Sequence, residues 1–335
     1  MIFWVVETRD PILRDRREDD VMDSAVNYLK CSPRRAYNPR RLIVDSGAYT
    51  AARKGLRLDA GWVMRVQEKL RADYAVPLDY PFAPGVSVDE ARRRVELTLE
   101  NLALWVERFG AKTVPVVHAV GWNGLRSVME RVSRVAGEAD MVALGCIALD
   151  GLPKGFLGDR QPHVSNVLSL LTALRLAKEE YSFKVHLTGF GSSPLTLNLA
   201  VYMGADSIDT SGSRRRAAYG KILLPGRGER YVGRGDAAFG VAKPDERDLK
   251  LLEECKCPVC RINPGLLWRD WRARAIHNEH VLKVELEKAV RMAEDVETYE
   301  RYLDQLFARS PLRGVWRMVK AAARSPPLIA PGDDR

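Results

Sequence analysis

The chain has 335 residues, 46% of them hydrophobic, and its 53 basic and 44 acidic side chains give a net charge of +9. Its apolar runs are short and interrupted, and none approaches the roughly 20 residues that span a bilayer, which excludes a membrane-embedded helical protein. The start, MIFWVVETRD, has no basic residues ahead of its apolar stretch, so we expect a buried first strand rather than a secretory signal. These features predict a soluble, cytoplasmic protein with no membrane partner, built as one large α/β barrel or two ordinary domains.

Short apolar or β-branched runs alternate with longer amphipathic segments, which is typical of a parallel sheet or barrel. The clearest helix spans about Val88 to Phe109, where Ser87 and Glu90 form a capping box and Gly110 ends the helix. The predicted strands are Ile2–Val6, Leu42–Val44, Tyr74–Leu78, Thr113–Val117, Met141–Leu144, Lys184–Leu187 and Ser207–Ile208.

The second half of the chain departs from this rhythm. A helix is predicted from Pro194 to Gly204, but after Gly212 the chain becomes rich in glycine and arginine. We interpret GRGERYVGRGDAAFG as a hairpin or flexible loop, because no helix follows where a phosphate-binding loop requires one. From Leu266 onward, periodic segments predict two or three helices that close the fold, and SPPLIAPGDDR is expected to be a frayed tail.

Polar or small residues follow the predicted strands. In a (β/α)8 barrel the carboxyl ends of the strands build the active site, so these residues would meet in one pocket. Each acid alone could be a turn former or a helix N-cap, but three at equivalent ends indicate an enzyme. Three carboxylates suit chemistry at a carbon that develops positive charge, as in cleavage of a glycosidic bond. The residues concerned are Asp45, Asp79, His118, Gly145, Cys146, Gly189 and Asp209.

Three cysteines form a C-x-C-x2-C cluster, and two histidines, His277 and His280, follow it. Three thiolates and an imidazole make the closed tetrahedral shell of a structural Zn²⁺. Ordinary buried cysteines are the alternative, but the segment EECKCPVCRIN is polar and contains proline, unlike a core strand. We therefore predict zinc at Cys255, Cys257 and Cys260 together with one histidine, and unpaired thiols at Cys31 and Cys146.

Positive charge is concentrated after the last predicted strand. Between Thr210 and Gly235 lie seven basic residues and one acid, Glu229. A solvated charged face is the alternative, but such faces usually mix both signs. The run beginning with Arg214, Arg215 and Arg216 is therefore predicted to contact phosphates of a nucleic acid.

In order and spacing, the motifs DSGAY, ALGCIA, TGFGSSPLTLNLAVYMGADSIDTSGSRRRAAYG and CKCPVC followed by IHN resemble those of the tRNA-guanine transglycosylases. The resemblance covers roughly Leu42 to Val290. It implies an α/β fold, a (β/α)8 TIM barrel with an inserted zinc-binding subdomain and C-terminal helices. The expected divisions are 1–240 for the barrel, 241–295 for the subdomain, 296–325 for the helices and 326–335 for a flexible tail.

The resemblance also implies roles for single residues. Asp209 would attack C1′ of the target nucleotide and form a covalent intermediate, and Asp45 would be the general acid/base. Asp79 would bind the edge of the base, Gly145 would offer backbone contacts, and Gly189 would let the chain approach the heterocycle. His277 would be the fourth zinc ligand, in preference to His280.

Several residues depart from the family pattern. His118 stands where glutamine is usual, Cys146 replaces a glycine, and Ala218 and Tyr219 replace residues of the loop that grips the polynucleotide, although Arg215 is retained. The chain is also expected to lack the RNA-binding domain that archaeal relatives append. These differences favour the branch that inserts 7-deazaguanines into DNA, because RNA and DNA differ at the 2′-hydroxyl and in helix form.

The predicted function is thus exchange of guanine in a polynucleotide, with DNA favoured over tRNA, for a 7-deazaguanine such as preQ0. Exchange in tRNA is the first alternative. A non-catalytic, zinc-stabilised nucleic-acid binding protein is the second, but acids in a binding cleft would oppose phosphate. A hydrolase with catalytic zinc is a third, and it is disfavoured because a three-cysteine site on one loop is closed. A homodimer remains open.

Overall fold

The computed structural model describes residues 1–82, 86–145, 156–157, 162–234, 240–310 and 312–324. Within these residues, eight parallel strands form one sheet. They are β1 (Ile2–Val6), β2 (Asp15–Ser24), β3 (Asn38–Asp45), β4 (Tyr74–Ala75), β5 (Val116–Val117), β6 (Met141–Leu144), β7 (Lys184–Leu187) and β8 (Ser207–Thr210). Two short stretches, Ala119–Val120 and Phe156–Leu157, pair with each other, and β9 (Lys221–Leu224) and β10 (Gly228–Tyr231) form an antiparallel hairpin.

Helices occupy most of the connections between the strands and the part of the chain after the hairpin. They are α1 (Ala48–Arg53), α2 (Ala60–Lys69), α3 (Val88–Phe109), α4 (Gly121–Ala136), α5 (Pro162–Glu179), α6 (Pro194–Tyr202), α7 (Gly212–Ala218), α8 (Glu246–Glu253), α9 (Leu266–Arg269), α10 (Trp271–Met292), α11 (Val296–Phe307) and α12 (Arg313–Arg324). In the described part of the chain, no helix is both long and apolar enough to cross a membrane.

The sheet closes into a barrel. Strands that follow one another along the chain are neighbours in the sheet, and β8 returns to pair with β1, which places Asp209 opposite Trp4. On the far side, a parallel bridge between Ala75 and Thr113 joins β4 to the segment that leads into β5. The predicted (β/α)8 fold is confirmed, and its geometry brings the carboxyl ends of all eight strands to one mouth.

One barrel strand, β2, is missing from the sequence prediction. Its sequence, DRREDDVMDS, has no apolar run, since its only hydrophobic residues are Val21 and Met22. Both of these are buried. The charges are instead paired across the sheet: Asp20 accepts hydrogen bonds from Arg40 and Arg41 of β3 at 2.5 to 3.0 Å. A strand stabilised by such pairs carries no hydrophobic periodicity to predict it.

The helix predictions are more exact. Helix α3 has the predicted bounds, and Ser87 caps it by accepting a hydrogen bond from the backbone of Glu90 at 3.2 Å. The Glu90 side chain binds Arg93 and Arg94 and does not close the predicted capping box. A full capping box occurs instead in α6, whose first residue is Pro194.

A buried ion cluster joins the barrel to α10. The side chain of Arg16 is fully buried, and it donates hydrogen bonds to Glu7 at 2.5 Å and to Glu279 of α10 at 2.6 Å. Asp19 is a third partner at 2.9 Å. The neighbouring carboxylates raise the pKa of Arg16 despite its burial.

We expect Arg16→Ala to lower the free energy of unfolding by about 3 to 5 kcal/mol, because the buried carboxylates of Glu7 and Glu279 would lose Arg16. Among the described residues they would keep only Arg214 and Lys283, respectively, as ion-pair partners. The adjacent Arg17→Ala is the matched control, since Arg17 and its partner Asp15 are both more than half exposed. This control should change the free energy by less than about 0.5 kcal/mol. Urea unfolding measures both, and equal effects would contradict the role given to the cluster.

A small apolar cluster packs against the hairpin and is separate from the hydrophobic clusters of the barrel. It includes Ile222 and Leu224 of β9, Leu252 of α8, and the cysteines Cys257 and Cys260. Helix α10 packs against this hairpin and also against α6 and α7 of the barrel. The hairpin agrees with one of the two alternatives predicted for the Gly/Arg-rich stretch. Residues 235–239 of that stretch and residues 325–335 of the expected tail lie outside the described part of the chain.

Candidate active site and metal centre

The barrel mouth holds a cavity of about 630 Å³. Residues at or just after the carboxyl ends of all eight strands line it, as expected for a barrel of this kind. Cys146 lies outside the described residues. The other predicted pocket residues all line the cavity: Asp45, Asp79, His118, Gly145, Gly189 and Asp209.

Asp209 lies within β8 and is only 6% exposed. Its Oδ1 atom accepts a hydrogen bond from the backbone N–H of Gly189 at 2.5 Å, and His186 Nε2 lies 3.3 Å from the same oxygen. Gly189 has φ of +69°, a left-handed conformation that favours glycine. Since Oδ2 accepts no hydrogen bond from the described residues, one oxygen of Asp209 is held in place and the other is available for chemistry.

His186 was not among the residues singled out from the sequence. It is fully buried on β7, where its Nδ1 lies 2.9 Å from Ser207 Oγ. Its neighbours Val185 and Leu187 belong to the large apolar cluster that packs against the helices. The alternation of side chains along a strand therefore turns His186 inward, and this polar residue between two apolar ones was the signal that could have found it.

Asp45 ends β3 beside two hydrogen-bond donors. Its Oδ2 atom accepts from the Gly47 backbone at 2.9 Å and from Ser24 Oγ at 3.3 Å. Burial raises the pKa of Asp45 to about 7, and the negative charges of Asp79 and Asp209 add to this effect. The three acids are thus close enough to influence one another, and Asp45 can gain and lose a proton near neutral pH.

The raised pKa of Asp45 predicts a specific dependence of stability on pH. Below about pH 4 the carboxyl is protonated in both states, and between 4 and 7 only in the folded state, so unfolding then releases a proton. The free energy of unfolding should fall by up to about 1.4 kcal/mol per pH unit in this range relative to Asp45→Asn. Urea unfolding of both proteins from pH 4 to 8 tests this. Parallel pH profiles of the two unfolding free energies would show that the pKa of Asp45 is not raised.

Asp79 and His118 form a pair in the wall of the cavity. His118 Nε2 lies 2.8 Å from Asp79 Oδ2, and Ser46 Oγ donates to Asp79 Oδ1 at 3.3 Å. His118 is 3% exposed, and its Nδ1 has no hydrogen-bond partner among the described residues. The pair thus presents a carboxylate and an imidazole side by side, a combination that suits the polar edge of a heterocycle.

Asp23 at the end of β2 also lines the cavity, and it was missed with its strand. It accepts hydrogen bonds from Tyr37 at 2.6 Å and from Tyr28 and Asn27 at 2.8 Å. Burial raises its pKa although these donors oppose the shift. Other lining residues that the sequence did not reveal include Tyr49, Thr50 and Arg53 of α1 and Thr188 and Phe190 after β7.

The three predicted phosphate-binding arginines have different surroundings. Arg214 donates to Glu7 at 2.5 Å and lies over the ring of Trp271, and Arg216 donates to Glu229 at 2.5 Å. Arg215 is exposed, lines the cavity and has no ion-pair partner among the described residues. Only Arg215 therefore has its charge free of an internal partner.

The predicted metal ligands come together beside the hairpin. The three cysteine sulfurs and His277 Nδ1 lie within 4.8 Å of one another, and three of the four residues are buried. His277 Nε2 lies 2.9 Å from the carbonyl oxygen of Leu223, which would fix the tautomer that leaves Nδ1 free to bind a metal. His280 is not part of the cluster. Cys255, Cys257, Cys260 and His277 thus form a site that fits a tetrahedral metal ion.

The fold and the two sites define a (β/α)8 barrel protein with a carboxylate-lined mouth and a Cys3His cluster that could hold a metal ion. Residues 37–311 match the family described as queuine tRNA-ribosyltransferase. The chain belongs to this family, and the resemblance inferred from its motifs is confirmed.

Several curated proteins are similar to the chain, and each is named tRNA-guanine(15) transglycosylase. That of Aeropyrum pernix is 30% identical over 260 residues, or 75% of this chain and 46% of that protein. The Haloferax volcanii protein is 25% identical over 77% of this chain and 47% of its own length. The Korarchaeum cryptofilum protein is 26% identical over 65% of this chain and 33% of its own length. The chain spans about half or less of the length of these relatives.

Proposed function

We propose that the protein is a pentosyltransferase that exchanges guanine in a polynucleotide for a 7-deazaguanine such as preQ0. The observation that carries this proposal is the meeting of Asp45, Asp79 and Asp209 in one cavity, with the pKa of Asp45 raised to about 7. One carboxylate oriented by a backbone N–H, that of Asp209, and another that exchanges a proton near neutral pH suit a glycosidic bond exchange through a covalent intermediate. Family membership supports the same reaction class.

In the proposed first step, Asp209 Oδ2 attacks C1′ of the target nucleotide. A C1′–O bond forms, the C1′–N9 bond breaks, and guanine leaves with its electron pair and takes a proton from Asp45. In the second step, Asp45 accepts the proton of the incoming 7-deazaguanine, whose nitrogen attacks C1′ and releases Asp209. Two displacements at C1′ retain its configuration.

The remaining pocket residues would bind the base. Asp79 would accept hydrogen bonds from the ring N–H and the exocyclic amine, and His118, at 2.8 Å from it, would fix its orientation. Gly145 would offer backbone contacts, and Gly189, which already holds Asp209 Oδ1, would let the chain lie against the heterocycle.

We propose Zn²⁺ as the ion of the Cys3His site, with a structural role. Three thiolates and one imidazole are the donor set that zinc prefers, and they fill a tetrahedral shell without leaving a position for a substrate. The bound ion would hold the loop of Cys255, Cys257 and Cys260 against α10. A hydrolase that uses this zinc for catalysis is not supported, because the ligands face an apolar cluster rather than the cavity.

We propose DNA as the polymer, because Ala218 and Tyr219 replace the residues with which the family grips its polynucleotide. tRNA is the second candidate, supported by the names of the family and of the similar proteins. The test is incubation of the protein with labelled guanine or preQ0 and either duplex DNA or tRNA. Label in DNA supports the proposal, label in tRNA alone transfers it to tRNA, and binding without label in either polymer contradicts a transglycosylase.

A further inference from the structure

Two segments beside the cavity carry only positive charge. Residues 25–37 follow β2 and contain Lys30, Arg34 and Arg35, and residues 46–58 follow β3 and contain Arg53, Lys54 and Arg57. Neither segment contains an acidic residue. We call these two segments together the basic platform. Five of its six cationic side chains are exposed, and Arg35 is half-buried.

The cations of the platform are also unpaired. None of the six has an ion-pair partner among the residues that the structure describes. On the outer helices α3 and α4, by contrast, every arginine has a carboxylate within 3.8 Å. These paired arginines are Arg92, Arg93, Arg94, Arg108, Arg126, Arg131 and Arg134. The platform therefore keeps an excess of positive charge that α3 and α4 do not, which marks it for an anionic partner.

The platform is one packed unit rather than two loose loops. Tyr28 and Tyr37 of the first segment and Ala48 of the second belong to the same apolar cluster. The segments touch at Gly47, where an added Cβ would lie 2.6 Å from that of Val26. The backbone that carries the six cations is thus fixed before any partner binds, which lowers the entropic cost of binding.

The platform opens directly into the cavity. Val26 and Asn27 of the first segment and Tyr49, Thr50 and Arg53 of the second line its wall. Large hydrophobic side chains are exposed between the cations, namely Leu29, Tyr49 and Leu56. Such a surface offers charge to phosphates and apolar area to unstacked bases, and it leads to the carboxylates.

We infer that the basic platform binds the phosphate backbone of the polynucleotide strand that carries the target base. This inference rests on the proposed function for the identity of the ligand. It moves most of the phosphate contact from Arg214 and Arg216, which bind Glu7 and Glu229, to the segments after β2 and β3, while Arg215 lines the cavity after β8.

The test compares two triple variants with equal loss of charge. Arg34→Gln/Arg35→Gln/Arg57→Gln alters the platform outside the cavity lining, and Arg126→Gln/Arg131→Gln/Arg134→Gln alters α4. Binding of a fluorescein-labelled single-stranded 20-mer of DNA, and of RNA with the same sequence, is measured by anisotropy at several salt concentrations without free base. Thermal unfolding of both variants should match the wild type within a few degrees.

For the platform variant, log K should fall less steeply with log salt, by about 2 in the slope. Three cations are lost, and each contact with a single strand contributes about 0.7 to the steepness. This change corresponds to a roughly 100-fold higher Kd near 0.1 M salt. The α4 variant should bind within about twofold of the wild type. A platform variant that binds both oligonucleotides like the wild type would overturn the inference.

The outcomes separate this inference from the proposed function. Platform-dependent binding in a protein that exchanges no base would remove the proposed activity and leave the platform in place. Normal base exchange with an unchanged KM in the platform variant would contradict the role of the platform and leave the proposed activity in place. The oligonucleotide with the larger platform-dependent loss identifies the polymer whose backbone the platform fits.

Discussion

Asp209→Asn should lower guanine exchange by about four orders of magnitude or more, because an amide cannot form the glycosyl ester on which the proposed reaction depends. The substitution is nearly isosteric, and the Oδ1 atom can still accept the hydrogen bond from Gly189. We therefore expect a folded protein that binds the polynucleotide and does not turn over. Asp209→Ala should have the same effect on exchange.

Two measurements check this expectation. Label exchange reports turnover, and denaturing electrophoresis reports the covalent adduct between protein and polynucleotide, which the wild type should form and the Asp209 variants should lack. Asp140→Asn is the matched control, since Asp140 precedes β6 at the opposite end of the barrel and pairs with Lys184 on the surface. Near-normal exchange by Asp209→Asn would remove Asp209 from the role of nucleophile.

Cys257→Ala should abolish metal binding and unfold the subdomain around the metal centre. Cys257 is fully buried, and its sulfur lies 3.6 Å from His277 Nδ1, so its loss opens the shell of ligands. Structural zinc supplies about 10 kcal/mol or more in small zinc-binding peptides, and the apolar cluster beneath the hairpin is too small to replace such a contribution. The expected result is a metal-free protein with a much lower Tm.

Elemental analysis of the purified protein gives the metal and its stoichiometry, and circular dichroism gives the Tm. Cys31→Ala is the control, because Cys31 is half-buried within residues 25–37 and outside the metal cluster. It should keep one zinc per chain. A Cys257→Ala protein that is metal-free yet as stable as the wild type would show that the site is not structural.

The sequence predicted those features that follow from local pattern. The bounds of α3, the positions of most strands and the cysteine cluster could be predicted because helix caps, apolar runs and ligand spacing lie close together in the chain. The meeting of Asp45, Asp79 and Asp209 in one cavity followed from the geometry of the barrel alone, since all carboxyl ends face the same side.

The features that could not be predicted from the sequence depend on contacts between residues that are far apart in the chain. The pair of Arg214 and Glu7 joins residues 207 positions apart, and no local pattern distinguishes it from a free arginine. The same is true of β2, whose charges are neutralised by β3, and of the pKa of Asp45, which depends on burial and on two acids from other strands. The platform cations, which have no ion-pair partner among the described residues, can be recognised only when the paired charges around them are known.

Three consecutive residues of α10 tie three parts of the molecule together. His277 belongs to the metal site, Asn278 donates hydrogen bonds to the backbone of Ser213 and Lys221 and accepts one from Leu223, and Glu279 binds Arg16 near the barrel mouth. Ser213 lies only four residues after Asp209. Chelating the ion would therefore loosen a single turn that also holds the chain next to the nucleophile, and amide hydrogen exchange should rise there together with the cysteine loop, as one cooperative unit.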